Sequence, residues 1–194
     1  MFYLFLIVCT YYSYNLYKKY FKIDFKCIVC YLIVNLISII YYKFNNKLDS
    51  VFFHIIIIHL LLSFIIDIKE MWIADYTIIS VLIINIFRTI FNFYYNNETI
   101  YEGTIFMVLF ILIVLLSQLI LKKELMGFGD LKLFFVLSFN YSLINMLLLL
   151  MLSALIGIIY YYIFNKKNEF PFGPSIVIAY IALEILKKLV VYHY

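Results

Sequence analysis

The sequence predicts an all-α fold: a polytopic integral membrane bundle of about eight segments. Three observations predict it. Of the 194 residues, 67% are hydrophobic and only 13% charged, whereas ordinary globular domains are roughly half apolar and a quarter charged. The charges fall in short clusters that cut the chain into apolar runs near the ~17–25 residues a spanning helix needs. Lys and Arg gather in every second loop, as the orientation rule for membrane proteins requires. A soluble fold could not hide this much apolar surface, so the bilayer is the solvent. The formal charge of +4 is small and no basic stripe is present, which argues against nucleic acid as a partner.

The segments run in order. Residues 1–17 are apolar, with no preceding positive region and no small-residue cleavage site; Lys18 and Lys19 follow the run. That is the reverse of a signal peptide, and it predicts an uncleaved helix ending in the cytoplasm. Further spans are expected at 27–42, 51–67, 76–95, 104–121, 141–164 and about 174–192. The stretch LKLFFVLSFN at 131–140 is short for a span and reads as a tilted helix turning near Asn140–Ser142. Alternation through eight segments puts loops 18–26, 67–75, 122–132 and 165–173 on one side. Those loops hold ten of the fifteen Lys and Arg residues, which makes that side the cytoplasm. No linker or low-complexity tail divides the chain, so 1–194 reads as one domain: 1–26 a first span and short loop, 27–194 the core.

Two aspartates stand out. Asp67 ends the third span and Asp130 opens the short helix after Gly127 and Gly129, in MGFGDLKLF. Taken singly, each is open to a bland reading as a solvated loop charge or, for Asp130, a group at the positive end of a helix. Taken together, on one side of the membrane, they read as a pair. Two adjacent carboxylates share one proton, so one can deprotonate a water while the other polarises a peptide carbonyl. That chemistry needs neither metal nor cofactor. Gly127 and Gly129 lack a Cβ, which lets the backbone bend and a peptide approach, or they are loop punctuation.

The motifs GFGD (127–130), DIKEMWIAD (67–75), PFGP (171–174) and CYLIVNLISIIYYKF (30–44), in this order, resemble the type IV prepilin peptidases, membrane aspartic proteases of the G-x-G-D type. The resemblance runs from about residue 27 onward. It implies Asp67 and Asp130 as catalytic residues, with Gly127, Gly129, Asp75 and Lys132 in support. It also implies a prepilin or pseudopilin substrate, with a basic leader cut at the cytoplasmic face of the inner or plasma membrane. That reaction serves type IV pili and type II secretion. Ala74 replaces the family's usual proline and should soften that turn; Asn35 stands where many members carry glutamate. Long members insert a domain with two C-x-x-C pairs that is associated with N-methylation. Here the region is KKYFKIDFK and one pair, Cys27 and Cys30, which implies a peptidase with no S-adenosylmethionine site. One pair without a second, and without a neighbouring His, is also too few ligands for a zinc site.

Other residues stay open. Lys132 can lower the Asp130 pKa, hold the substrate or snorkel to the interface. Arg88 and Glu184 are intramembrane charges that can pair. His54 and His59, five residues apart, do not share a helix face and read as polar packing partners. PFGP reads as a rigid re-entry into the last span near the active site. Two alternatives remain in view. One is an intramembrane protease of the presenilin kind, although Ile66 precedes Asp67 and PFGP stands in place of a Pro-Ala-Leu motif. The other is a non-catalytic subunit or ion- or proton-coupled transporter using the aspartates.

Overall fold

The computed structural model describes residues 47–96, 101–164 and 171–191. These form six α-helices and no strand: α1 (Lys47–Glu70), α2 (Asp75–Asn96), α3 (Glu102–Leu121), α4 (Phe128–Leu137), α5 (Leu143–Phe164) and α6 (Gly173–Val191), with a 3₁₀ turn at Ser138–Asn140 after α4. The expected segments at 1–17 and 27–42, and with them Asn35, Cys27 and Cys30, lie outside the described residues. The described part therefore carries six of the eight expected segments. Three of its helices, over Ser50–Glu70, Glu102–Leu121 and Leu143–Ile163, are long and apolar enough to cross a membrane.

One helix, α2, turns its polar side inward. On α2, Thr77, Asn85, Arg88 and Thr89 are buried, while Tyr76, Ile79, Ile83, Ile86, Phe87 and Ile90 are exposed. The buried set recurs at one-face spacing, so the polar stripe points into the bundle and the apolar stripe out. Lipid favours this inversion, because a polar group facing hydrocarbon has no partner. On α3 only Gly103 and Met107 are buried, which makes it an outer helix.

The packing forms a ring. α1 packs on α2 and α6, α6 on α5, α5 on α3, and α3 on α4; α4 closes the circuit on α2 and also touches α6. Phe53, Ile56, Ile57 and Leu60 of α1 and Leu133 and Phe134 of α4 are fully buried in the shared core.

At ten residues α4 is only about 15 Å long, and two devices fit it into the bundle. At its start, the 122–127 connection folds back along α3, where the Gln118 side chain donates to the Met126 carbonyl at 2.9 Å. At its end, the backbone carbonyls that a helix terminus leaves without partners are met from other helices. Asn85 donates to Val136 O (2.8 Å), Thr89 to Phe139 O (3.1 Å), Thr104 to Ser138 O (3.4 Å), and the Gly103 amide to Tyr141 O (3.0 Å). Any side chain at 103 would collide with that carbonyl, so glycine is required for the close approach. The expected turn near Asn140–Ser142 is present, and it is fastened to the N-terminal end of α3.

Candidate active site

Three chain reversals meet at one end of the bundle: the α1–α2 turn, the start of α4 and the start of α6. Asp67 lies on the last turns of α1 and is 5% exposed. Its Oδ2 accepts a hydrogen bond from the Gly173 amide at 2.8 Å, at the first residue of α6. Asp130 lies in the first turn of α4 and is half-buried. Ile73, from the α1–α2 turn, is the wedge between the two sides. A methyl group at position 129 would stand 3.3 Å from Ile73 Cβ, and one at 173 would stand 2.7 Å from Asp67 Oδ2 and 3.3 Å from Ile73 Cδ1.

The electrostatics follow from this packing. Burial pushes the Asp130 carboxyl up to about 7 from 3.8, and the nearby Asp67 charge pushes in the same direction. Both effects disfavour a second negative charge at the site. Up to about 7, Asp130 keeps its proton beside Asp67, so the pair can supply an acid and a base side by side.

Asp130 and Gly127 also line a groove of about 650 Å³ between α3, α4 and α5. Apart from Ser153, its other walls are apolar, among them Phe110, Leu150, Met151 and Phe172. A second hollow of about 530 Å³ shares Ala154 and Phe172 with it and runs on to Tyr161 and Tyr162. Asp130 thus sits beside two adjoining, mainly apolar hollows along α5.

The chain belongs to the type IV leader peptidase family. The family's sequence profile matches residues 54–162, more than half of the chain and inclusive of Asp67, Gly127, Gly129 and Asp130. No curated protein and no solved structure matches it.

Several sequence expectations need correction. Gly127 and Gly129 were expected to let the backbone bend. Instead Gly127 is ordinary extended backbone (φ −60°, ψ 138°), and no described glycine has positive φ. What they provide is room: a methyl at 127 would stand 3.0 Å from Asp130 Oδ2. The left-handed turns fall on Met71 (φ 54°) and Lys122 (φ 50°), which end α1 and α3. Lys132 does not hold the Asp130 pKa down. Its Nζ is 2.7 Å from Asp75 Oδ1 on the exposed rim and 5.0 Å from the Phe128 ring centre, the posture of a snorkelling lysine. Asp75 is therefore a rim partner of Lys132, away from the carboxyl pair. His54 is fully buried with neither ring nitrogen hydrogen-bonded among the described residues; His59 bonds the Ile55 carbonyl at 2.9 Å.

Other readings hold, and some features were missed. PFGP does start the last helix beside the site. The turn at Ala74, which lacks the family's proline, is tied by Thr77, whose hydroxyl contacts Ala74 O and Ser63 Oγ, each at 2.7 Å. Arg88 and Glu184 do pair, at 3.2 Å. The sequence did not reveal Ile73, the Gly173 amide or the groove walls. No residue type announces a backbone donor, and apolar lining looks like any apolar core.

Proposed function

We propose that this family member is an aspartic endopeptidase in which Asp67 and Asp130 form the hydrolytic pair. On this reading it removes the basic leader from prepilins or pseudopilins at the cytoplasmic face of the membrane. The observation that carries the reading is Asp130: its carboxyl keeps its proton up to about 7, next to Asp67 and at the mouth of the groove. A carboxyl that is still protonated near neutral pH can act as a general acid. The apolar groove suits the hydrophobic segment that follows a leader, and Glu70 and Asp75 on the exposed rim suit a basic one. The clustering of ten Lys and Arg residues supports the cytoplasm for this end. Residues 1–194 then act as one membrane domain of eight segments, built on the six described helices.

The test is cleavage of a prepilin-like substrate by protein reconstituted in bilayers. Asp67→Asn and Asp130→Asn should each lower the rate by about 10²–10⁴-fold or more, with insertion unchanged. Full activity in either variant would remove the pair mechanism.

A further inference from the structure

We infer that the main-chain amide of Gly173 divides the labour of the pair: it makes Asp67 the base and leaves Asp130 as the acid. The inference rests on the two-carboxylate reading above and adds an assignment within it.

The argument starts from hydrogen bonding. Asp67 Oδ2 accepts from Gly173 N at 2.8 Å, at the positive end of α6. An amide donor favours the ionised form of a carboxyl. Burial is the largest influence on both carboxyls, so it does not separate them; what separates them is that Asp130 receives no hydrogen bond from the described residues. Among the described residues, the other charges at this end do not reverse the bias. Lys132 is engaged with Asp75. Lys69, Glu70, Lys122, Lys123 and Glu124 are exposed, where solvent screens them. α5 carries no charged residue, and on α6 the first is Glu184, three turns away from Gly173. Only glycine leaves this amide within reach of Asp67, because a methyl at 173 would press on the very oxygen it serves.

The hydrolytic step then balances. The Asp67 carboxylate takes a proton from water, the water oxygen bonds to the peptide carbonyl carbon, and Asp130 gives its proton to the carbonyl oxygen. In the second step Asp67 passes its proton to the amide nitrogen and the C–N bond breaks. One hydroxyl of the diol returns a proton to Asp130. The products are an acid and an amine, and both side chains are restored. Gly173 touches no reacting atom and acts as a positioning residue.

The experiment replaces Gly173 by glycolate in the full chain, which exchanges one N–H for an ester oxygen and adds no bulk. Cleavage is followed against pH. The acidic limb of the rate profile, which reports protonation of the base, should move up by about one pH unit while the alkaline limb stays. Movement of the alkaline limb instead, or of neither limb, overturns the assignment. A purely structural role would lower the rate at all pH values alike. Should the ester variant fail to fold or cleave, infrared titration of ¹³C-aspartate-labelled protein decides without it. The carboxylic-acid band should have a higher midpoint in Asp67→Asn, where Asp130 stands alone, than in Asp130→Asn; equal or reversed midpoints overturn the assignment. If both Asn variants cleave normally, the pair itself falls. If both are inactive but the limbs or midpoints go the other way, only the division of labour falls.

Discussion

The molecule buries ionisable groups at two ends, and the two ends treat them in opposite ways. At the far end, Arg88 (5% exposed) and Glu184 (2% exposed) face each other at 3.2 Å. Lys187 adds a second cation 3.8 Å from Glu184 and lies 3.7 Å from the centre of the Tyr141 ring, and the Tyr180 hydroxyl accepts from Arg88 at 3.4 Å. Each charge there meets its opposite, which is the condition for carrying ions in a low-dielectric interior. At the near end two carboxyls of like sign share a site, and the one donor on the pair among the described residues is a backbone amide. The far end is saturated and joins α2 to α6. Among the described residues, no cation offsets the near-end carboxyls. Buried charge in this bundle thus comes in two kinds, one matched by its opposite and one not.

Breaking each end should separate activity from stability. The largest expected effect is at the near end, where the Asn variants of Asp67 and Asp130 lose cleavage yet fold at least as well as the wild type, since one member of a repelling pair is gone. At the far end the contrast should reverse. Arg88→Met leaves Glu184 without its closest partner and should destabilise the protein by about 3–5 kcal/mol, with cleavage by the folded fraction unchanged. Thermal unfolding in detergent, run beside the cleavage assay, reads both. If Arg88→Met left stability unchanged, the far end would not be the saturated latch described here.

The next effect concerns pH and the near end alone. Asp130 holds its proton up to about 7 in the fold against 3.8 ordinarily. Above about 7 it is ionised whether folded or unfolded, and its burial beside Asp67 then opposes folding. Below 3.8 it is neutral in both states and opposes nothing. Stability should therefore rise as pH falls from about 7 towards 3.8, by on the order of 4 kcal/mol, and the rise should be flatter in Asp130→Asn. Comparing unfolding midpoints of the two proteins across that window checks the sign.

Smaller effects sharpen the comparison. Asn85→Leu removes the donor to Val136 O and should cost about 1–3 kcal/mol, because a carbonyl at that depth has no water to turn to. Lys132→Met breaks an ion pair whose side chains are 38% and 70% exposed. It should change stability by less than about 1 kcal/mol and cleavage by no more than a few-fold. A large loss of cleavage would mean that Lys132 serves the substrate.

The sequence by itself determined the helical class, the order and approximate limits of the six described helices, and the two acidic positions on which the proposal rests. Apolar run length and charge placement are local properties, and the bilayer turns them almost directly into spans. The predicted stretch 51–67 lies within α1, 76–95 within α2 and 104–121 within α3, all with small extensions. Only the tertiary structure decided what each polar residue answers to. It assigned Lys132 to Asp75, Asn85 and Thr89 to the end of α4, and the Gly173 amide to Asp67, and it made Ile73 a wedge between two glycines. Those partners lie as far as 106 residues apart in the chain. Partner choice in a bundle depends on helix rotation and on the depth at which each turn sits, and neither leaves a trace in composition or spacing.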